Sequence, residues 1–232
     1  MRVVTTCTKG GLKQYGHRWL ESRKNWPAGT DFQFYTEGFE VDCPGKDING
    51  IEDFAQWKLK HAHYQPGGWQ WDVVKFAHKI FAAADAFMDY DGIGVWLDAD
   101  CVTYKSIPEG LIESQVKDHY LACYQRTGMY TETGLWIVDC KHPEHRNFMW
   151  GLRSAYLTDR FVSLPQWHDC MVLDAVIRSM GNHIKVKNLS GEFHKHMHPQ
   201  AASELGKYVD HCKGGNNKVS GRSPENKHRE MA

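Results

Sequence analysis

The chain has no CxxC pair, no surplus of either charge, no internal repeat and no sign of a second domain. It also has no apolar run approaching the ~20 residues that a membrane-spanning helix needs. Each absence removes a class of protein. Lys plus Arg and Asp plus Glu both number 28, so no whole-chain basic field draws the protein to nucleic acid. Only the tail after Lys207 is richer in Lys, Arg and His than in acids. The seven cysteines are odd in number and irregularly spaced, which argues against a disulfide framework. Cys7, Cys101, Cys140 and Cys170 lie in or beside apolar segments and read as small hydrophobes in a reducing compartment. The opening Met1-Arg2-Val3-Val4-Thr5-Thr6 lacks the apolar core of a signal peptide. What is left is an ordinary globular composition, 41% apolar and 24% charged over 232 residues, enough for one large domain with a sizeable core.

Strand and helix patterns alternate along it. Residues 3–8 are a β-branched run followed by a Lys9-Gly10-Gly11 turn, and residues 12–23 have helical spacing, with Leu12, Tyr15, Trp19 and Leu20 on one face. Residues 32–36 alternate as a second strand, and residues 51–61 read as a helix. Residues 63–71, containing Pro66-Gly67-Gly68, read as a loop and a candidate lid. Residues 73–88 form a strong helical pattern with Val74, Phe76, Ala77, Ile80, Phe81 and Ala84 on its apolar face. Strands are expected at 93–97, 120–124, 134–138 and 184–186, and helices at 143–156 and 169–179. Residues 212–232 are polar and expected to be disordered beyond their Gly-rich start. The alternation predicts an α/β fold, a mostly parallel central sheet flanked by helices. Ligands of such sheets bind beyond the carboxyl ends of the strands.

At one such end lies Ile93-Gly94-Val95-Trp96-Leu97-Asp98-Ala99-Asp100. Residues i and i+2 of an extended chain point the same way, so Asp98 and Asp100 are expected to reach one hard divalent cation of the kind that bridges substrate phosphates. The following Val102-Thr103-Tyr104 predicts no tight reversal there. An Asp-rich strand end is also an ordinary turn. A second cluster is Asp210-His211-Cys212-Lys213-Gly214, with Lys218 nearby. His suits cations that accept mixed oxygen and nitrogen ligands, and Gly lets backbone approach phosphate closely. The same residues also fit a frayed polar tail.

Other constellations are less specific. In Leu164-Pro165-Gln166-Trp167-His168-Asp169, an aromatic face and a carboxylate suit a sugar, while Asp169 equally fits a helix N-cap. Glu132 and Thr133 would face the Asp pair if their strands are neighbours, or belong to a bland loop. Lys75 and Lys79, four apart, share a helix face that either binds phosphate or is simply solvated. His194, His196 and His198 alternate along the chain and form a possible chelating patch, without the spacing of a closed zinc site.

The strand-DxD-strand pattern with a distant His-x-x-Gly and Lys resembles the GT-A glycosyltransferases, in particular their glycogenin-like and galactinol-synthase-like group. His211-Cys212-Lys213-Gly214 matches that motif, and Lys218 follows one residue later than the family's Lys. Residues 35–39, 71–79, 130–134 and 205–211 are similar to a small GT-A group of bacteria and tailed phages. The resemblance implies a Rossmann-like nucleotide-diphospho-sugar transferase fold, with a catalytic domain over 1–211 and a tail over 212–232 whose first part closes over the donor. It implies Asp98, Asp100 and His211 as ligands of Mn²⁺ or Mg²⁺, and Thr5, Thr6 and Tyr35 near the nucleoside, with a UDP-sugar the expected donor. Lys213, Gly214 and Lys218, with Ala99, Lys75 and Lys79, would hold the diphosphate sugar. Glu132, Trp167, His168 and Asp169 would line the sugar and acceptor side, Asp169 being the candidate general base.

The expected activity is therefore metal-dependent sugar transfer from a nucleotide-diphosphate sugar to modified phage DNA, a glycan, a protein or a small molecule. The expected place is the cytoplasm of a bacterium, or of its host if phage-encoded. The rival expectations are a non-catalytic nucleotide- or metal-binding module and a nucleotidyltransferase. The latter would normally carry a Gly-rich phosphate loop after the first strand, and Lys9-Gly10-Gly11 is too thin for one.

Overall fold

Strand β1 (Arg2–Thr6) carries Val3 and Val4, both fully buried although they point to opposite sides. That is possible only where a sheet is covered on both faces. The computed structural model, which describes residues 1–63, 67–191 and 198–226, shows the cover. Its main sheet has six strands in the order β2-β1-β3-β6-β5-β7. These are β2 (Asp31–Tyr35), β3 (Ile93–Leu97), β5 (Leu121–Tyr124), β6 (Glu132–Asp139) and β7 (Val186–Asn188) beside β1. Val4, Trp96, Trp136 and Val138 belong to one core, and Val3, Val95, Leu97, Leu135 and Ile137 to the other. The strands read as unbroken apolar runs for this reason.

Helices α3 (Glu52–His61), α4 (Val73–Phe87), α6 (His145–Leu157) and α7 (Asp169–Met180) supply the first core, through Phe54, Trp57, Phe81, Phe148 and Leu173 among others. Helices α1 (Lys9–Gly11), α2 (His17–Ser22) and α5 (Leu111–Val116) lie on the other side, where Trp19 and Ile112 join the second core. The sheet is mostly parallel, as expected. β1 pairs parallel with β2 and β3, and β5 with β7, while β6 runs antiparallel to both of its neighbours. The reversal brings the first residues of β6 to the carboxyl end of β3, with Leu97 opposite Leu135.

Several local expectations shift. The Lys9-Gly10-Gly11 turn is instead the first turn of a helix, because Thr8 caps it by accepting the Gly11 N–H at 3.1 Å. A π turn over Leu12–Gly16 then joins α1 to α2. On α4, Asp72 accepts the Lys75 N–H, and the buried face is Val73, Ala77, Ile80, Phe81 and Ala84. Val74 and Phe76 are only partly buried. The chain does reverse at Asp98, where the Cys101 N–H donates to the Asp98 carbonyl at 2.8 Å. β4 (Cys101–Thr103) then leaves the main sheet and pairs antiparallel with β8 (Val209–His211).

The tail does not simply fray. Helix α8 (Gly215–Ser220) follows β8, Arg18 donates to the Lys218 carbonyl, and the Ser223 N–H donates to Asp210. Pro66 of the expected lid, His194 and His196 of the histidine patch, and the tail from residue 227 lie outside the described residues. No helix among the described residues is long and apolar enough to cross a membrane.

Tyr35 tests the placement of β2. Its ring is fully buried and its hydroxyl donates to Asp85 at 2.5 Å, away from the strand end. Tyr35→Phe is expected to lower stability by about 1 kcal/mol, the usual net worth of such a bond. If Tyr35 stood instead at the open strand end, as the sequence suggested, the substitution would leave the thermal midpoint unchanged.

Candidate active site

A cavity of about 920 Å³ opens beyond the carboxyl ends of β1 and β3. Six parts of the chain build most of its wall. They are the residues after β1, the outward face of α4, the Asp98–Cys101 turn, the starts of β6 and α7, and the segment after β8.

The β4–β8 pairing builds its centre. Cys101 is opposite His211, and the Cys212 N–H donates to the Asp100 carbonyl at 3.0 Å. His211 Nε2 therefore lies 3.2 Å from Asp100 Oδ1. Its other ring nitrogen, Nδ1, is 3.7 Å from Glu132 Oε1 on β6. Gly134 makes room for the ring, since a Cβ there would overlap His211 at Cε1 and Nδ1. Asp100, Glu132 and His211 are all buried.

Asp98, Asp100, Glu132 and Asp169 each have a lysine. Lys218 Nζ is 2.9 Å from Asp100, and Lys213 Nζ is 2.7 Å from Glu132. Lys79 Nζ bridges Asp98 and Asp169, at 2.7 Å from each. Burial alone would raise the Asp100 carboxyl, but His211 and Lys218 hold it below the usual carboxylate range. Glu132 is likewise held well below by His198, His211 and Lys213 against its burial. Burial would lower the Lys79 ammonium, yet Asp169 and Asp98 raise it above its usual value. His211, despite burial, is raised by Asp100.

The sequence-derived residues divide sharply. Thr6, Lys75, Lys79, Asp98, Ala99, Asp100, Glu132, His168, Asp169, His211, Lys213, Gly214 and Lys218 all line the cavity. Thr5, Tyr35 and Trp167 do not. Thr5 is fully buried on β1. Trp167 packs edge-on against Trp71 and Phe161, which makes it core rather than a sugar platform. Lys75 is exposed at the rim, whereas Lys79 is paired within the wall, so the two do not act as one phosphate clamp.

The two aspartates also part company. The turn aims Asp98 at Lys79 and at the Trp96 indole N–H, 2.7 Å away, while Asp100 faces His211 and Lys218. Expecting them side by side assumed extended backbone. Asp169 is the first residue of α7 rather than its cap. Its carboxylate accepts from Thr133 at 2.5 Å and pairs with Lys79. Burial would raise it, but Lys79 and Thr133 hold it low, which suits orienting a neighbour better than accepting a proton.

Other residues escaped the sequence. Trp69, 56% exposed, stacks on His168 at 5.8 Å, and Tyr130 meets the same imidazole edge-on at 4.5 Å. The Tyr15 ring lies 4.6 Å below the Lys218 ammonium. His198, read from the sequence only as part of a possible chelating patch, comes to lie against Glu132 and His211. An aromatic beside a loop glycine was the only signal for Trp69. For Tyr15 there was none, because its helical spacing fits core equally well.

Asp100 and the facing His211 Nε2 form a mixed oxygen and nitrogen donor pair that fits a divalent cation. His211 Nδ1 has no hydrogen-bond partner among the described residues, so the ring is seated but not saturated.

No protein-family model and no curated protein matches the chain. Solved structures do match. An active-site mutant of LgtC gives a TM-score of 0.52 at 13% identity, over 92% of this chain and 88% of that one. A glycosyltransferase involved in glycosylation of the major capsid of PBCV-1 gives 0.51 at 13%, over 94% and 98%. The bifunctional glycosyltransferase WbbM gives 0.50 at 13%, over 82% of this chain, which spans only 38% of WbbM. Likeness at such identity is a likeness of fold, and the chain has the GT-A glycosyltransferase fold.

Lys79→Met leaves Asp98 and Asp169 without their shared cation. The variant is expected to lose about 3–5 kcal/mol at neutral pH, the cost of stranding buried charge, read as a lowered thermal midpoint. Because the folded Asp169 carboxyl lies below its unfolded value, its stabilisation is complete above about pH 4 and fades as pH falls through the folded value. The gap between wild type and variant should narrow on the acid side. A gap that widens there would contradict the pairing.

Proposed function

We propose that this chain transfers a sugar from a nucleotide-diphosphate sugar, with Mn²⁺ or Mg²⁺ held by Asp98, Asp100 and His211. The observation that carries the reading is the seat of His211 against Asp100, with Lys213 and Lys218 on the same side of the cavity. When bound, a divalent cation supplies Lewis-acid neutralisation of the departing diphosphate.

The chain's own residues do the rest. Lys213 and Lys218 are now paired with Glu132 and Asp100. Lys218 would be free to turn to diphosphate oxygens with a cation balancing Asp100, while Lys213 would stay beside Glu132 at the edge of the diphosphate. The site would then exchange one set of ion pairs for another without stranding a charge. Gly214, at φ +93°, gives the backbone between them a conformation that side chains disfavour. Asp98, now paired with Lys79, would help hold the metal by giving up that contact. Asp169, fixed by Thr133, keeps that lysine in place. At the rim, Trp69 and Tyr130, both packed on buried His168, offer aromatic faces to the sugar or its acceptor.

Calorimetry with UDP-, GDP- and dTDP-sugars in Mn²⁺, and again in chelator, tests the donor side. Metal-dependent binding is expected for the wild type. Asp100→Asn should weaken it at least tenfold, in line with the ~10–100-fold losses seen when a metal site is disturbed. Gly134→Ala should do the same by pushing His211 from its seat. If no nucleotide sugar binds in a metal-dependent way, the proposal fails. A transfer assay offering plain duplex, hydroxymethylated duplex and free saccharides then sorts the acceptors, and sugar on the modified duplex alone would assign DNA.

A further inference from the structure

His198, Glu132 and His211 form a second group of ligand atoms, all within 4.8 Å of one another. Glu132 and His211 have side chains only 3% exposed, and His198 15%. His198 Nε2 stands 3.5 Å from Glu132 Oε2, and His211 Nδ1 stands 3.7 Å from Glu132 Oε1. The two imidazoles meet at 82°, with ring centres 4.8 Å apart. These nitrogens point at a buried carboxylate, yet neither has a hydrogen-bond partner among the described residues. An N–H···O bond closes to about 2.9–3.0 Å, so the gaps are too wide for one. They do suit a shared ion, since two ligands at about 2.0–2.1 Å from a tetrahedral cation stand roughly 3.3 Å apart.

We infer that Glu132, His198 and His211 Nδ1 form a binding site for a nitrogen-preferring divalent cation such as Zn²⁺ or Co²⁺. The site is distinct from the Asp98–Asp100 position on the other side of the His211 ring. Two imidazoles and one carboxylate leave a fourth coordination position open to water. Lys213 now balances Glu132. Its side chain is 55% exposed, so it can move out to solvent when a cation enters. A neutral imidazole offers one lone pair, so His211 serves one position at a time. Zn²⁺ binds nitrogen ligands more tightly than Mn²⁺ does. Occupancy of the histidine position therefore takes His211 away from Asp100, and Zn²⁺ competes with Mn²⁺ through a shared ligand.

Co²⁺ is the probe, because its visible absorption reports ligand number and geometry without reference to activity. The full chain, stripped with chelator, is titrated with Co²⁺. One equivalent is expected to give the intense band of a four-coordinate site, which Zn²⁺ then bleaches. His198→Ala should weaken that binding at least tenfold and His198→Asn should also lose the band. Asp98→Asn should leave the band unchanged, and Lys213→Gln should tighten binding. Circular dichroism and the melting curve establish that each variant is folded. The inference is overturned if the wild type gives no such band, or if folded His198→Ala and His198→Asn bind Co²⁺ as the wild type does. Mn²⁺-dependent nucleotide-sugar binding is read separately on Asp100→Asn, so failure of either idea leaves the other standing.

Discussion

The cavity depends on a three-residue pairing. β4 and β8 pair over just three residues each, Cys101–Thr103 with Val209–His211, yet they join the two ends of the site across more than a hundred residues of chain. Alternation along a strand makes this register unforgiving. A slip by one residue would turn His211 away from Asp100 and present Asp210 or Cys212 in its place. Gly134 belongs to the same constraint, for the imidazole occupies the space a side chain would take. The Asp98–Cys101 turn makes the pairing possible by steering β4 out of the main sheet. The same turn splits the directions of Asp98 and Asp100.

Burying Asp100, Glu132 and Asp169 beside half-buried Asp98 would be prohibitive without compensation. Lys79, Lys213 and Lys218 provide it, one lysine for each of Glu132 and Asp100 and one shared by Asp98 and Asp169. Two of the three come from the C-terminal segment after β8 and one from α4. Charge neutrality thus ties the last part of the chain to the sheet as firmly as backbone pairing does.

The fold was legible because its signals are local and repeated. Val3-Val4 and Ile93–Leu97 are apolar on consecutive residues, which a sheet covered on both sides requires, and α4 carries its face at helical spacing. The site was legible only in part. Asp98, Asp100, His211 and Glu132 come from motifs whose residue types already specify their chemistry, and the cavity holds them all. Thr5, Tyr35 and Trp167 misled because position near a strand end does not say which way a side chain points. One step along β1 separates fully buried Thr5 from Thr6 at the cavity wall. Trp69 and Trp167 lie in similar loop sequence, but one is solvent-facing and the other packs against Phe161.

By itself the sequence determined the alternation of strands and helices, the covered sheet, and the presence of two acid-bearing motifs and a His-Lys-Gly segment. These follow from periodicity and residue type, which act over a few residues. Only the tertiary structure decided that β6 runs against its neighbours and brings Glu132 to the strand end. It alone placed His198 beside Glu132 and divided the lysines among the carboxylates. Those outcomes depend on contacts between residues far apart in the chain. Their energies arise from shared burial and charge, and no single segment carries them.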